Sequence, residues 1–314
     1  MNSAPLVYIL ILNFNSLEDT LKCLKEVKKI DYPNFRVLVI DNNSPDGSGE
    51  ALKQLIDSDE FLSLSKNHGY AGGNNIAIKL AFKDGADYIL IVNPDIRLPE
   101  NTLTEYIKIM QSDKNIAGLN AIQLQADGEH FDSNFLSGVL RPCGFNGDTL
   151  EKSQLPELFD SEVIFGASLM LSTEAIKKVG GFDPLYFAYG EEIDLCRRLR
   201  MHNYRLVVTT KAPAIHLRTI YTKPLSRHIL FLRLKGYYLS RLKKPSDSLS
   251  RAAKYVYREI KTALTGRAES LYPYDTYPYD KMIIIKTALW LIAFMPCIYL
   301  HKRQEKTLGF WYLK

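Results

Sequence analysis

The sequence predicts an α/β fold with a mostly parallel central sheet, followed by a helical C-terminal extension. Residues 6–12 form a continuous apolar run, which is typical of a strand buried on both faces. Strand-like and helix-like segments then alternate through residue 125, and repeated βα units favour parallel strands joined by right-handed crossovers. After Pro213 the chain becomes basic and aromatic at helical spacing. We therefore expect one domain over residues 1–220 and a helical region over residues 221–314.

The individual elements follow from hydrophobic spacing and from helix-start signals. Ser16 stands at an N-cap position with Asp19 three residues later, and Pro99 stands where prolines commonly open a helix. The expected strands cover residues 6–12, 36–40, 61–65, 88–92, 163–171 and 204–209. The expected helices begin at residues 17, 51, 75, 99, 173 and 191, and two more cover residues 225–243 and 248–264. Residues 128–159, rich in Gly, Pro, Asn and Asp, are expected to form a long loop.

Charge is distributed unevenly along the chain. The net charge is +5, but residues 1–210 contain 20 Lys and Arg against 29 Asp and Glu, whereas residues 211–314 contain 20 against 6. A basic segment joined to an acidic one indicates contact with an anionic surface, and a solvated basic face is the alternative. No zinc-finger, helix-turn-helix or RNA-binding signature accompanies the charge, so nucleic acid is not an expected partner. The expected partner is an anionic membrane surface.

An apolar segment near the C-terminus supports this interpretation. Residues 282–300 form a run of 19 residues that Lys286 and Pro296 interrupt. The 14 residues from Thr287 onward are free of charge, fewer than the roughly 20 that a membrane-spanning helix needs. We expect an interfacial or re-entrant helix flanked by basic residues, and a buried helix packed on the first domain is the alternative.

The cysteines and the N-terminus indicate a reducing compartment. The four cysteines, Cys23, Cys143, Cys196 and Cys297, form no CxxC pair, and two of them fall within helical patterns. A disulfide framework is therefore not expected. The first apolar run is predicted to be a strand rather than a signal peptide. We expect the protein on the cytoplasmic face of a membrane, as a peripheral or monotopic protein.

Polar clusters follow four of the predicted strands. Ligands bind beyond the carboxyl ends of strands in an open parallel sheet, so these clusters are expected to meet at one edge. The clusters are Asn13-Phe14-Asn15, Asp41-Asn42-Asn43, residues 67–75 and Asn93-Pro94-Asp95. Each cluster alone also fits a simple turn. Their shared position after strands favours a binding site.

The residue types in these clusters suit a nucleotide diphosphate. Asp41 can accept a hydrogen bond from the N–H of a pyrimidine ring, and Gly72 and Gly73 allow the backbone to approach a ligand. Asp95 is a hard oxygen ligand for a divalent ion that would bridge two phosphates. The glycines form neither GxGxxG nor GxxxxGK[ST], so a Rossmann dinucleotide site or a P-loop is not expected.

Six segments, in order, carry a family resemblance. They are VYILILNFNS at 7–16, VLVIDNNSPDGS at 37–48, KNHGYAGGNNIAI at 66–78, VNPD at 92–95, FGASLML at 165–171 and GGFDPLYFAYGEEIDLCRRL at 180–199. With them the chain resembles glycosyltransferase family 2, and most of all its bacterial rhamnosyltransferase-type members, over roughly residues 5–220. The resemblance implies a GT-A-type fold, a nucleotide-sugar donor and inversion at the anomeric carbon.

The resemblance also implies a metal site and a set of donor contacts. It makes Asn93-Pro94-Asp95 the counterpart of the family's DXD metal motif, with Asp95 as a ligand of Mg²⁺ or Mn²⁺. His216 is the counterpart of a late histidine that commonly completes this site, although a buried structural histidine is the alternative. The expected donor-binding residues are Asn13, Asn15, Asp41, Asn43, Asn67, Gly69, Gly72, Gly73, Asn74, Asn93 and Arg218.

The acidic run 191–194 matches the family's acidic pair at the start of a helix. Its second acid, Glu192, is the expected general base, and Glu191 is the alternative, because the family usually has an aspartate there. Acids in a first helical turn are also favoured by the helix dipole, without any catalytic role. Asp194 is expected to pair with an arginine of its own helix.

The resemblance therefore implies an inverting, metal-dependent hexosyltransferase of cell-surface polysaccharide synthesis, such as O-antigen synthesis. The expected donor is dTDP-rhamnose, with UDP-hexoses or UDP-galactofuranose as alternatives, and the expected acceptor is a lipid-linked saccharide at the bacterial inner membrane. A sugar nucleotidyltransferase would need a Gly-rich loop with Arg and Lys after the first strand, where this chain has Asn13-Phe14-Asn15-Ser16. A catalytically inactive, membrane-bound partner protein is the non-enzyme alternative.

Overall fold

A nine-stranded mixed sheet organises the first two thirds of the chain. The computed structural model describes residues 4–146, 150–218, 225–265 and 280–313. The strands are β1 (Val7–Asn13), β2 (Phe35–Asp41), β3 (Phe61–Ser63), β4 (Tyr88–Val92), β5 (Ile96–Arg97), β6 (Ile116–Leu124), β7 (Leu158–Asp160), β8 (Ser168–Ser172) and β9 (Arg205–His216). The longer helices of this part are α1 (Leu17–Val27), α2 (Ser48–Leu55), α3 (Gly69–Lys83), α4 (Thr102–Ser112), α6 (Thr173–Val179) and α7 (Glu191–Met201), and α5 (Ser133–Phe135) is a short turn.

The predicted α/β fold with a mostly parallel sheet is confirmed. The strand order is β3-β2-β1-β4-β8-β6-β9-β5, and β7 pairs with β9. Strand β1 runs parallel to β2 and β4, β2 to β3, and β6 to β9, whereas β8 runs antiparallel to both of its neighbours. The carboxyl ends of β1, β2 and β4 therefore meet at one edge, where Asn13 lies directly beside Asp41.

Two apolar cores lie on the two faces of the sheet. Strand β1 shows why: alternate side chains of a strand point to opposite faces, so Tyr8 and Leu10 enter one core while Ile9 and Ile11 enter the other. Helices α3, α6 and α7 cover the first face, and α1, α2 and α4 cover the second. The sheet is thus a rigid central layer, and its edge is free to carry polar side chains.

Several predicted boundaries were wrong for local reasons. The helix expected at Pro99 begins at Thr102, because the Pro99 carbonyl accepts hydrogen bonds from the Thr102 N–H and hydroxyl and closes a turn before the helix. Helix α3 begins at Gly69 rather than at residue 75. Ser16 is the N-cap of α1 as predicted, but its side chain makes no cap hydrogen bond.

The segment predicted as a long loop is a folded part of the core. Strand β6, which the sequence did not reveal, precedes it, and helical turns follow at Ser133–Phe135, Leu136–Leu140 and Arg141–Cys143. Phe135, Val139 and Leu140 are fully buried. Residues 147–149 lie outside the described residues. The part of this segment around residues 133–143 is therefore folded into helical turns that pack on the first core.

The C-terminal extension is helical, as predicted. Helices α8 (Arg227–Leu242), α9 (Leu249–Leu264), α10 (Lys281–Ala293) and α11 (Met295–Gln304) enclose a third apolar core, which Tyr186 of the first part also enters. Within the described residues, each helix taken singly is too short or too polar to cross a bilayer. Only α10 and α11 together reach that length and hydropathy, and they are bent by 63°. The Tyr- and Pro-rich stretch at 271–279 lies outside the described residues.

Candidate active site

A buried polar network holds the carboxyl ends of β1 and β2. The amide Nδ2 of Asn13 donates to Asp41 Oδ1 at 2.8 Å and to the hydroxyls of Ser44 and Ser48 at 3.1 Å each. Ser44 Oγ also donates to Asp41 Oδ1 at 2.6 Å. Both Asn13 and Asp41 are buried. Their side chains shape the two loops at this edge, and their contact with a donor stays a prediction.

Asn15 and Asn43 lie at the exposed tips of these two loops. Their backbone φ angles are 56° and 59°, in the left-handed region that asparagine tolerates better than most residues. Both side chains are exposed. Of the predicted donor contacts on β1 and β2, these two are therefore the ones open to a ligand.

The glycine-rich segment after β3 fills a different role from the one predicted. Gly72 and Gly73 lie in the first two turns of α3, and a Cβ on Gly73 would come within 2.8 Å of the Leu12 side chain. A Cβ on Gly72 would lie 2.9 Å from the Cβ of His68. The space beside these two glycines is occupied by the protein itself, so they permit close packing of α3 on the sheet.

Asn67, Gly69 and Asn74 anchor the start of α3. Asn67 Oδ1 accepts hydrogen bonds from the Gly69 N–H at 2.7 Å and from Asn42 Nδ2 at 3.0 Å. Gly69 has φ +69°, and a Cβ there would overlap with the Phe187 carbonyl. Asn74 is buried and its Nδ2 donates to the Tyr70 carbonyl. Asn42, which was not among the predicted site residues, is the link between the β2 and β3 loops.

The structure brings the two predicted metal ligands together. Strand β5 pairs with the end of β9, so Ile96 lies opposite His216, and the Leu217 N–H donates to the Asp95 carbonyl at 2.8 Å. His216 Nε2 lies 3.2 Å from Asp95 Oδ2. Burial alone would raise the pKa of Asp95, but the hydrogen bond and charge of His216 outweigh it and hold the pKa below its usual value. Asp95 is thus ionised at neutral pH.

Asp132 completes this corner of the site and was not predicted. It caps α5 by accepting from the N–H groups of Asn134 and Phe135, and its carboxylate binds the guanidinium of Arg218. The Arg218 side chain, expected to face a diphosphate, is therefore directed toward Asp132. The Nδ1 atom of His216 lies 3.5 Å from Asp132 Oδ2 and has no hydrogen-bond partner among the residues that the structure describes.

These residues fit a divalent cation. A carboxylate oxygen and an imidazole nitrogen converge at Asp95 and His216, and the Asp95 side chain is 30% exposed, so an ion can reach it. Metal-binding histidines usually have a carboxylate beside the second ring nitrogen, as His216 has in Asp132. Asp95 and His216 would hold the ion, and Asp132 would orient the imidazole.

The two candidate bases open helix α7 at the same edge of the sheet. A Cβ built on Gly166 would lie 3.0 Å from Glu192 Oε1, and the Gly166 carbonyl accepts a hydrogen bond from Tyr70 Oη at 2.9 Å. The next residue, Ala167, accepts at 2.9 Å from the backbone N–H of Asn93, the first residue of the metal motif. Glu192 and the motif that contains Asp95 thus both border the short segment Gly166-Ala167.

Burial distinguishes the two glutamates. Glu191 is 3% exposed, and burial, followed by the charge of Glu192, raises its pKa well above the usual value. Glu192 is only partly buried by accessible surface. Burial also raises the pKa of Glu192, while backbone N–H groups at Gly166 and Gly190 favour its ionised form. Glu192 is therefore the more accessible base.

Helix α8 supports the turn that carries these acids. A Cβ on Gly236 would overlap with the Tyr189 carbonyl, and Tyr189 has φ +69°. Lys235 is buried, and its positive charge partly offsets the rise in the pKa of Glu191 that burial causes. Arg197 Nη1 donates to the Ser240 carbonyl at 2.6 Å. The C-terminal extension is thus in direct contact with the candidate catalytic turn.

Another group of carboxylates, Asp183, Asp194 and Glu305, is close enough to hold a cation. The positive charge among these carboxylates is the ammonium group of Lys243. Its Nζ lies 2.5 Å from Asp194 Oδ1 and also contacts Asp183 and Glu305. Asp194 in addition binds Arg198 at 3.0 Å, which confirms its predicted pairing within α7. We assign this group to the docking of α8 and α11 rather than to a metal.

Comparisons with known proteins agree with this architecture. The family model described as Glycosyl transferase family 2 matches residues 8–166, and that of Glycosyl transferase family group 2 matches residues 88–301. The "Rhamnosyltransferase WbbL" of Escherichia coli (strain K12) is 28% identical over 244 residues, which cover 71% of this chain and 90% of the relative. The "N-acetylglucosaminyl-diphospho-decaprenol L-rhamnosyltransferase" of Mycobacterium tuberculosis (strain CDC 1551 / Oshkosh) is 25% identical over 205 residues, which cover 57% of this chain and 66% of the relative.

A solved structure shares the fold at low identity. The "Mannosyltransferase PcManGT from Pyrobaculum calidifontis in complex with GDP-Man and Mn2+" superposes with a TM-score of 0.58 at 17% identity. The alignment covers 91% of this chain and 86% of that one. The likeness shows that the sheet and its covering helices form a GT-A-type fold, as predicted.

Proposed function

Because the chain belongs to glycosyl transferase family 2, we propose that it is an inverting, metal-dependent hexosyltransferase that transfers rhamnose from dTDP-rhamnose to a lipid-linked saccharide. The observation that supports this proposal is that Glu192 approaches Gly166, while Asn93, two residues before Asp95, is hydrogen-bonded to the neighbouring Ala167. The names of the rhamnosyltransferase relatives support the donor and a lipid diphosphate acceptor. The proposed setting is cell-surface polysaccharide synthesis at the cytoplasmic face of the bacterial inner membrane.

The proposed reaction is a single displacement. Glu192 accepts the proton of an acceptor hydroxyl as the hydroxyl oxygen forms a bond to the anomeric carbon. The bond from that carbon to the diphosphate breaks on the opposite face, and the diphosphate leaves with the electron pair. A divalent ion held by Asp95 and His216 would offset the charge of this leaving group.

Two alternatives remain distinguishable by experiment. UDP-hexoses or UDP-galactofuranose are donors that the same site would accommodate. An inactive partner protein is less well supported, since such a protein has no need of an ionised Asp95 next to His216 and an accessible Glu192.

Donor binding tests the proposal directly. We expect dTDP-rhamnose with Mn²⁺ to raise the Tm, because a ligand at 100 times its Kd stabilises a native protein by about 2.7 kcal/mol. The variant Asp95→Asn should lose most of this shift, whereas Asp57→Asn, at an exposed carboxylate, should retain it. A thermal-shift screen of nucleotide sugars with and without Mn²⁺ measures this. An unchanged shift in Asp95→Asn contradicts the metal site, and no shift with any nucleotide sugar contradicts the function.

The pH dependence of sugar transfer tests whether a buried glutamate is the general base. Burial raises the pKa of both glutamates, with Tyr70, Lys235 and Asp194 as the other titratable groups around them. A base with a raised pKa is still protonated where an ordinary glutamate is ionised, so activity should rise with pH through a value above about 4.3. The measurement is kcat/KM against pH at saturating metal. An acid limb at or below the ordinary glutamate value would contradict a buried carboxylate base.

A further inference from the structure

Helix α10 is apolar on two opposite faces, of which the residues that the structure describes cover only one. Its inner face, with Ile283, Ile284 and Leu291, packs in the third core. Its outer face is exposed: Met282 is 66%, Ile285 40%, Leu289 62% and Ile292 69% accessible. These four follow one another at intervals of three and four residues, so they lie on one side of the helix.

Exposed apolar side chains are also present at the bend and in α11. Tyr299 and Leu300 of α11 are 47% and 55% exposed, and Phe294 at the bend is also exposed. We call these exposed side chains of α10 and α11 the apolar stripe. Monomeric soluble proteins rarely leave a contiguous apolar surface of this kind uncovered, so the stripe indicates an interaction surface.

The exposed charged side chains of α10 and α11 are basic. Between residues 281 and 304 they are Lys281, Lys286 and Arg303, whereas Lys302 is buried and Asp280 caps the start of α10. Neighbouring helix α9 carries an exposed basic row on its solvent side, composed of Arg251, Lys254, Arg258 and Lys261. Apolar side chains together with exposed cations complement an anionic lipid surface, to which nearby Lys and Arg side chains are attracted.

The geometry favours lying in the surface over crossing it. Helix α10 has 13 residues, or about 20 Å at 1.5 Å per residue, against the roughly 30 Å of a hydrocarbon core. Its inner face is also committed to packing against α8 and α9. Inserting the whole helix would expose that packed core to lipid, whereas the stripe alone is free to enter.

We propose that the apolar stripe inserts into the headgroup region of an anionic bilayer, with α10 and α11 lying along the surface and the α9 basic row binding phospholipid headgroups. This inference rests on the lipid-linked acceptor of the proposed function. Helix α8 belongs to the same helical cluster and contacts the turn that carries Glu191 and Glu192. Docking by the stripe would therefore hold the catalytic edge close to the membrane.

The test is binding of the full chain to vesicles of phosphatidylglycerol mixed with phosphatidylcholine. The double variant Leu289→Ser and Ile292→Ser removes two exposed apolar side chains, so we expect the partition coefficient to fall by roughly tenfold or more. The control is Leu55→Ser on α2, which is 64% exposed and lies on the first part of the chain; it should bind as the wild type does. Replacing Arg258 and Lys261 by Gln should weaken binding to anionic vesicles only.

Equal vesicle binding by the wild type and the double variant would overturn the inference. A wild-type dimer that the double variant converts to a monomer, with unchanged vesicle binding, would also overturn it, because the stripe would then join two copies. Transfer to a water-soluble saccharide diphosphate separates this test from the proposed function. Normal transfer with lost vesicle binding supports the docking surface, and lost transfer with normal docking counts against the proposed reaction alone.

Discussion

Replacing Glu192 with Gln is expected to lower kcat for sugar transfer by about 10²–10⁴-fold, the usual contribution of a positioned general base. Gln preserves the length and the hydrogen-bonding capacity of the side chain but does not accept the proton of the acceptor hydroxyl. Donor affinity should stay near the wild-type value, because Glu192 approaches Gly166 and Tyr70 rather than the metal motif itself. Steady-state transfer and calorimetric donor binding measure the two quantities on the same protein.

The matched control is Glu191→Gln. Glu191 is buried and its pKa is raised well above the usual value, so the neutral carboxyl form is favoured and Gln resembles it closely. We expect transfer within a few fold of the wild type. A larger loss of kcat in Glu191→Gln than in Glu192→Gln would show that Glu191 is the base. Full activity in both variants would show that neither glutamate is the base.

The polar residues at this edge of the sheet could be predicted because the ends of the strands can be located from the hydrophobic runs. Asp41, Asp95 and the acidic pair follow such runs or open a helical pattern, and parallel strands bring their carboxyl ends to one edge. The family resemblance, rather than the spacing of the residues, predicted that Asp95 and His216 lie close together. The antiparallel pairing of β5 with β9 is the physical reason for this closeness.

Strand β6 was not predicted from the sequence because polar residues interrupt its apolar pattern. All nine residues of β6 are buried, yet Asn120 and Gln123 lie among them. Asn120 is tolerated inside because its amide binds backbone groups of Phe165 and Ser168, which neighbouring segments provide only after folding. Asp132, at the start of α5, was missed for a related reason: its segment was dismissed as a loop, although an aspartate before Ser-Asn-Phe is an N-cap signal.

Helical spacing revealed α8 and α9 but not how they dock. Charged residues are normally expected in water, and the basic count of residues 211–314 suggested solvated or lipid-facing side chains. Lys243 is instead buried between α7, α8 and α11, where it contacts Asp183, Asp194 and Glu305. Pairings between residues 49 to 62 positions apart leave no periodic trace in a sequence.

Two ionised carboxylates of this buried cluster face basic side chains at neutral pH. Burial would raise the pKa of Asp183, but Lys243 and His301 outweigh it and lower that pKa, so the carboxylate is ionised. Burial raises the pKa of Glu305 to about 8, with the charge of Asp194 adding to the effect, so this carboxyl is largely protonated. Lys243 and Arg198 then face the ionised Asp183 and Asp194.

Replacing Lys243 with Met is therefore expected to lower the free energy of unfolding by about 3–5 kcal/mol, the usual loss when one partner of a buried ion pair is removed. The methionine fills much of the same volume, so the loss isolates the charge left on Asp183 and Asp194. Denaturant unfolding of the full chain measures it, and Lys244→Met, at the adjacent exposed lysine, should change stability by less than about 0.5 kcal/mol. Because the cluster joins α8 and α11 to the acids of α7, Lys243→Met should also impair transfer at temperatures where the protein remains folded. A variant as stable and as active as Lys244→Met would show that the helical extension docks through its apolar core alone.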